Sequence, residues 1–363
     1  MKDRIGFIAV GQAGGNIGTK LESKGYPVLY INTSEEDLST LGNSKFKHHI
    51  KGGEGCNKDR KKAKQALADD FDEVSRKIKE GLETEFIYLI FSSGGGTGSG
   101  AGPMLADLIL EDIADGILKT KNVGIITILP ALKETVKANI NSYECFMELN
   151  EIEGLAGTFV LDNELTSDKF VLNTQFVRTF TEFLDIPNRY KSERGNIDKA
   201  EIMETLKAGG MNYLAQLSAK ESRMENVIEK LRRGMFAEDE HDGIVKYITV
   251  SQSGSFDIDV LQREMGIPVD IFQTYNEHTT IVCLSGLTFP ATRLERTYQM
   301  IEDNKEKVLK NVTATRQIKM QSGIDFLQEA ARSNPVRKKR NIAQESESEP
   351  QKKSRRELMK KYI

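Results

Sequence analysis

The chain has 363 residues, 38% hydrophobic and 7% aromatic, with 51 Lys and Arg against 54 Asp and Glu for a net charge of −3. That length suits two domains, or one large α/β unit with an appendage. No apolar run approaches the roughly 18 residues of a membrane-spanning helix, and Cys56, Cys145 and Cys283 lie too far apart for a CxxC pair, which argues against a zinc or disulfide framework and suits a reducing cytoplasm.

The charged start is followed by an apolar stretch that is short and broken by Gly11 and Gln12. Ile5–Val10 is therefore predicted to be a first strand and not part of a signal peptide. Similar runs recur at Val28–Ile31, Phe86–Phe91, Val123–Leu129 and Thr158–Leu161. Each has little alternation, as expected of strands covered on both faces. Longer segments of mixed polarity separate them, and the pattern predicts an α/β fold with a doubly wound, mostly parallel sheet. Phe170, Asn173, Phe176, Val177, Phe180, Phe183 and Leu184 then fall at helical spacing. They predict a long central helix over Lys169–Leu184, ended by Pro187 and Asn188, with Phe170 and Phe176 in its core face. Helices over 202–218, 223–233 and 291–310, the last opened by Pro290, and strands Ile244–Val250 and Thr279–Ser285 predict a second, α+β domain. The expected division is a nucleotide-binding domain over 1–168, the central helix over 169–188, the α+β domain over 189–332 and a mobile basic tail over 333–363. His48, His49, His241 and His278 form no HExxH pattern, and none is assigned a role.

Gly94-Gly95-Gly96-Thr97-Gly98-Ser99-Gly100 follows a predicted strand and precedes a helical pattern over Pro103–Ile113. A strand, a glycine turn and a helix N-terminus make an anion site, because free N–H groups and the helix dipole both favour negative charge. Glycines admit positive φ and let phosphate approach the backbone. The competing reading is a flexible linker, but linkers do not usually join a buried strand to a helix. GxxxxGK[ST] is absent, so this is not a P-loop.

The GGGTGSG run resembles the signature loop of the tubulin/FtsZ superfamily. Gly11-Gln12-Ala13-Gly14-Gly15-Asn16 resembles that family's first nucleotide loop; a dinucleotide-binding fingerprint fits less well, because strand two ends in Asn32-Thr33 with no ribose-binding acid. Gly52-Gly53-Glu54-Gly55-Cys56-Asn57 lies where the family's third loop wraps the γ-phosphate. Leu161–Leu165 resembles the loop whose Asn recognises guanine, and Asn196–Glu201 resembles the catalytic loop after the central helix. The basic end and the segment Leu129–Glu134, which lacks the Pro-Phe-x-x-E-G of division proteins, make the chain look most like the plasmid- and phage-borne branch that moves DNA.

The resemblance implies binding of GTP/GDP and Mg2+. Phosphate would fall to Gly11, Gln12, Ala13 and Gly14 and to Gly94, Gly95, Gly96, Thr97 and Gly98, with Gln12 also reaching the metal shell, while Asn16, Asn32, Gly53, Gly55 and Asn57 would also contact the nucleotide. Guanine would fall to Asn163 and Asn173, since an Asn amide offers both a donor and an acceptor. Gln175 is the alternative to Asn173, which also reads as an exposed helix-start residue. Glu201 and Asp198 would orient the attacking water in a neighbouring subunit's site, with Asn196 positioning their loop. Read without the resemblance, the two acids are ordinary first-turn residues facing a helix dipole.

Residues 333–363 carry ten Lys or Arg and four Glu, a net of +6 that leaves −9 for the remainder. Apolar residues nearly vanish there, which predicts mobility, except that Leu358, Met359, Tyr362 and Ile363 stand among the charges of Arg355–Ile363 and leave two readings of that end, a short helix on a partner or a solvated terminus. The expected function is a filament-forming GTPase, localised to the cytoplasm, whose partners are itself, a DNA-binding adaptor and centromere-like DNA met by the tail, with no membrane anchor. Alternatives are an FtsZ-like division-ring GTPase and a nucleotide-binding regulator that never polymerises. For the tail, the competing readings are a solubilising end, a contact with a neighbouring subunit's acidic body, and an anionic membrane.

Overall fold

A computed structural model describes residues 1–363 except Gly42, Asn43, Lys45, Gly53, Ser255, Phe256 and 316–354, with backbone alone at 306–315 and Arg356. Its first half alternates strand and helix: β1 (Ile5–Val10), α1 (Gly11–Ser23), β2 (Val28–Asn32), α2 (Glu35–Ser39), β3 (Lys47–His49), α3 (Arg60–Gly81), β4 (Phe86–Ser92), α4 (Thr97–Ala114), β5 (Asn122–Leu129), α5 (Val136–Leu149) and β6 (Thr158–Asp162). Strands β1 to β6 pair only in parallel. Their side chains are buried almost throughout because helices cover both faces.

The second half holds α6 (Lys169–Leu184), α7 (Ile186–Arg189), α8 (Lys199–Lys207), β7 (Met211–Ser218), α9 (Met224–Arg233), β8 (Tyr247–Ser253), α10 (Ile258–Met265), β9 (Asp270–Asn276), β10 (Thr279–Leu287) and α11 (Ala291–Thr315). All ten strands form one sheet in the order β3-β2-β1-β4-β5-β6-β7-β10-β8-β9. It turns mixed past β7, where β10 runs antiparallel to both neighbours. Strand β7 touches β6 only at Met211 beside Thr158. The backbone groups thereby freed on β6 are met by the segment after α9: Asp162 donates to Met235 and Ala237 donates to Val160.

The central helix has the predicted bounds. Asp168 caps it, its carboxylate accepting from the Phe170 and Val171 amides at 2.8 and 3.3 Å. Phe180 sits 5.3 Å from Phe159 of β6, 5.7 Å from Tyr88 of β4 and 6.3 Å from Phe7 of β1, so one residue joins three strands. Phe176 is fully buried as expected, but Phe170 is 65% exposed and lies outside the core.

Several expectations are corrected. The helix predicted over 202–218 is two elements: α8 ends at Lys207, the chain turns through Gly209 and Gly210 (φ +83°), and Met211–Ser218 is strand. β7 is buried on both faces, so its apolar run mimicked a helix's. Pro187 does not end α6. It lies in the first turn of α7, where its missing N–H costs nothing. β3 and β9 were not foreseen; both lie at sheet edges and carry mostly polar residues. Of the tail expected to be mobile, 333–354 lies outside the described residues. Arg355–Tyr362, by contrast, is a helix, α12, seated on α3 and α4.

Candidate nucleotide site

The C-terminal ends of β1, β2 and β4 converge with the N-termini of α1 and α4. A side chain added at Gly11 (φ +70°) would lie 3.4 Å from the Gly98 nitrogen, so the first loop and the signature loop are adjacent. Neither helix has an acid in its first turn. The amides of Thr97, Gly98 and Ser99 precede the first intrahelical bond, from Gly100 to Gly96, and so face outward unsatisfied. Gly14 is required for a different reason: a Cβ there would fall 2.3 Å from the Ile90 carbonyl, so α1 rests directly on β4.

The third loop closes over the signature loop. A Cβ at Gly96 would stand 2.8 Å from the Lys58 nitrogen. Gly52 and Gly55 have positive φ, and so do Asn57 (+43°) and Lys58 (+60°). These positive φ values fold the loop back sharply so that it lies against the signature loop. Thr33, fully buried, donates to or accepts from Thr97 at 2.7 Å and Cys56 at 3.3 Å, and its carbonyl accepts from Gly55. Asn141 of α5 donates to the carbonyls of Gly95 (2.8 Å) and Lys58 (3.0 Å), holding the two loops together.

Below these loops Arg60 closes a backbone gap. Pro103 lies inside α4 and has no N–H to give the Ser99 carbonyl. The buried Arg60 guanidinium donates to that carbonyl at 3.1 and 3.3 Å instead. It also pairs with Glu144 and Glu148 of α5 at 2.8 and 2.7 Å. Burial beside this network pushes the Cys145 thiol up to about 12, so it is unreactive at neutral pH.

The base end lies at the start of α6, which packs on α1. Asn163 and Asn173 are buried, and the amide oxygen of each has no hydrogen-bond partner among the described residues. A buried unsatisfied acceptor costs about 1–3 kcal/mol, and a donor on a bound base would relieve it at either Asn. Guanine presents such donors on its N1 and N2. Glu134 borders this end, accepting from Lys169 at 2.7 Å, Ala131 at 3.0 Å and Asn163 at 3.4 Å. Burial raises its carboxyl, but these bonds outweigh that and hold it below the usual range.

The structure thus brings together Gly11, Gln12, Ala13, Gly14 and Asn16 with Gly94 to Gly98, Gly55 and Asn57, and places Asn163 and Asn173 at the base end. Gly53 lies outside the described residues. Asn32 is turned to local use, accepting from Ser34 and donating to Asp37. Thr33, Asn141, Glu134 and Arg60 were missed. Glu134 and Thr33 stood in segments already named, whereas Arg60 lies just past the third loop and nothing in the sequence marked Asn141. The described residues hold no cluster of three or more His, Cys, Asp or Glu. Gln12 is exposed at the first loop and offers an amide oxygen, a hard donor suited to Mg2+.

Asn196, Asp198 and Glu201 are elsewhere. Asn196 accepts from the Ser192 amide at 2.7 Å. Asp198 and Glu201 form a capping box at α8: the Asp198 carboxylate accepts from the Ala200 and Glu201 amides, and Glu201 accepts from the Asp198 amide at 2.7 Å. They follow the C-terminal end of α6, whose 16 residues span about 24 Å from the base end.

Two glycine-led helix N-termini, a left-handed loop and paired orphan amides define a nucleotide-binding α/β protein without a P-loop. Residues 4–168 match the Tubulin/FtsZ family, GTPase domain; this part of the chain is a Tubulin/FtsZ GTPase domain. The chain is 28% identical over 321 residues to the tubulin-like protein TubZ of Clostridium botulinum C phage, covering 86% of this chain and 87% of that one. The crystal structure of Clostridium botulinum phage c-st TubZ superposes with a TM-score of 0.75 at 25% identity, over 85% of this chain and all of that one. A GTPγS-form protofilament of Bacillus thuringiensis serovar israelensis TubZ shares the fold, with a TM-score of 0.69 at 18% identity over 88% and 95% of the two chains. No described helix is long and apolar enough to cross a membrane.

Proposed function

We propose that this GTPase assembles head to tail into filaments, that each GTP is hydrolysed where two subunits meet, and that the filament moves plasmid or phage DNA. The observation that carries the reading is the separation of two half-sites along one chain. The phosphate loops lie at one end of α6, and the exposed Asn196 and Asp198, with the half-buried Glu201, lie past the other. A second copy stacked along that axis brings Asp198 and Glu201 to the γ-phosphate. In-line hydrolysis needs a positioned water and a neutralising charge. The two carboxylates would supply the first, and Mg2+, which Gln12 would help to hold, would supply the second. The likeness to TubZ, one of whose solved forms is a protofilament, supports the assembly.

Because Glu201 also completes a helix cap, Glu201→Ala confounds two effects. Glu201→Gln separates them, since Gln serves equally in a capping box. The variant should bind GTP and assemble normally, keep its thermal midpoint, and hydrolyse about 10²-fold more slowly or worse, giving long-lived polymers. Hydrolysis at the parental rate would remove Glu201 from the mechanism.

A further inference from the structure

Helix α12 carries Arg355, Arg356, Lys360 and Lys361 on a frame with Leu358, Met359 and Tyr362. The face it covers is acidic. Arg355 donates to Asp72 at 3.2 Å and pairs with Asp112, and its guanidinium lies 5.3 Å from the centroid of the Phe71 ring. Lys361 stands 3.6 Å from both Asp107 and Glu151. The Tyr362 hydroxyl donates to Asp107 at 2.8 Å, its ring is 7% exposed, and the Lys64 ammonium sits 5.3 Å from the ring centroid. Leu358 and Met359 pack against the core.

Asp112 ties the helix to this face. With α12 seated it is fully buried, and the Ser75 hydroxyl donates to one carboxylate oxygen at 2.5 Å while Arg355 takes the other. The seated helix therefore both covers this carboxylate and supplies its cation. The helix is separated from α11 by the 39 residues 316–354.

We propose that α12 is a latch: the acidic α3–α4 face holds it in cis and withholds its basic residues, so that duplex DNA competes with this face for the same helix. The competitor rests on the cargo reading above; the latch itself does not. Tyr362→Ala removes the anchor and keeps every basic residue, and Asp107→Asn weakens the same contact from the body side. Both are made in the full-length protein. Amide hydrogen exchange over 355–363 reads the latch, and binding of a short mixed-sequence duplex at low salt reads the competition.

Each variant should speed exchange over 355–363 by about tenfold or more, and should tighten DNA binding by a similar factor, since apparent affinity scales with the fraction of free helix. Parental exchange as fast as that of Tyr362→Ala would overturn the latch. Protection that vanishes on dilution would assign the helix to a second copy and overturn docking in cis. Faster exchange with unchanged DNA affinity would overturn the competition. Absence of DNA binding in every form would overturn the cargo reading and the competition with it, leaving exchange to decide the latch.

Discussion

Asn163 and Asn173 are where the chemistry of the site is most exposed to test. Each buries an amide oxygen with no partner, and that cost is recovered only when a donor arrives. Asn173→Ala should weaken GTP binding roughly tenfold, about 1.4 kcal/mol, without lowering the thermal midpoint of the nucleotide-free protein. Titration calorimetry with parallel melting curves checks both halves. Glu134 gives a pH signature. Its carboxyl is held below the ordinary value of about 4.3, so its bonds stabilise the fold above that value and are lost as pH falls through the lowered one. The stability gap between the parent and Glu134→Gln should be full at neutral pH and close as pH falls below the ordinary carboxyl range, as followed by denaturant titration. Legibility at this scale divided by chemistry. GGGTGSG was readable because close approach to Lys58, Phe91 and Arg60 leaves little room for side chains at Gly96, Gly98 and Gly100, and a run of glycines is conspicuous. Thr33 and Asn141 were not, because a single polar residue acquires meaning only from neighbours far away in sequence.

Among the elements, α6 was the most legible and α8–β7 the least. Phe176, Val177, Phe180, Phe183 and Leu184 bury one face against the sheet, which produces a clean helical period. Strand β7 is covered on both faces, so its apolar run has no period with which to declare itself; only Gly209 and Gly210 mark the break. The packing of α6 sets its importance: Phe180→Ala removes a ring touching three strands, and should cost about 3–5 kcal/mol in denaturant unfolding. A loss under 1 kcal/mol would mean that the helix is not held by this cluster.

At the level of the whole molecule, the charge split between body and tail was legible as composition, but its consequence was not. Composition assigned the last 31 residues to a mobile end and left Arg355–Ile363 open between a solvated terminus and a short helix on a partner. Tyr362 and Arg355 instead find a pocket made by α3 and α4, elements more than 200 residues away in sequence. Truncation after Asn334 should leave assembly and GTP turnover intact while abolishing co-sedimentation of filaments with adaptor-bound DNA. Loss of assembly with cargo binding preserved would move the tail's role to the subunit contact. The central claim is that one chain carries two halves of a GTPase site which meet only between copies. Phosphate release per molecule, measured from dilute to concentrated protein with light scattering on the same samples, tests it most directly. The predicted result is turnover near zero below a critical concentration and a steep rise, with scattering, above it. Turnover per molecule that stays constant across the whole range would show that a single subunit holds a complete site.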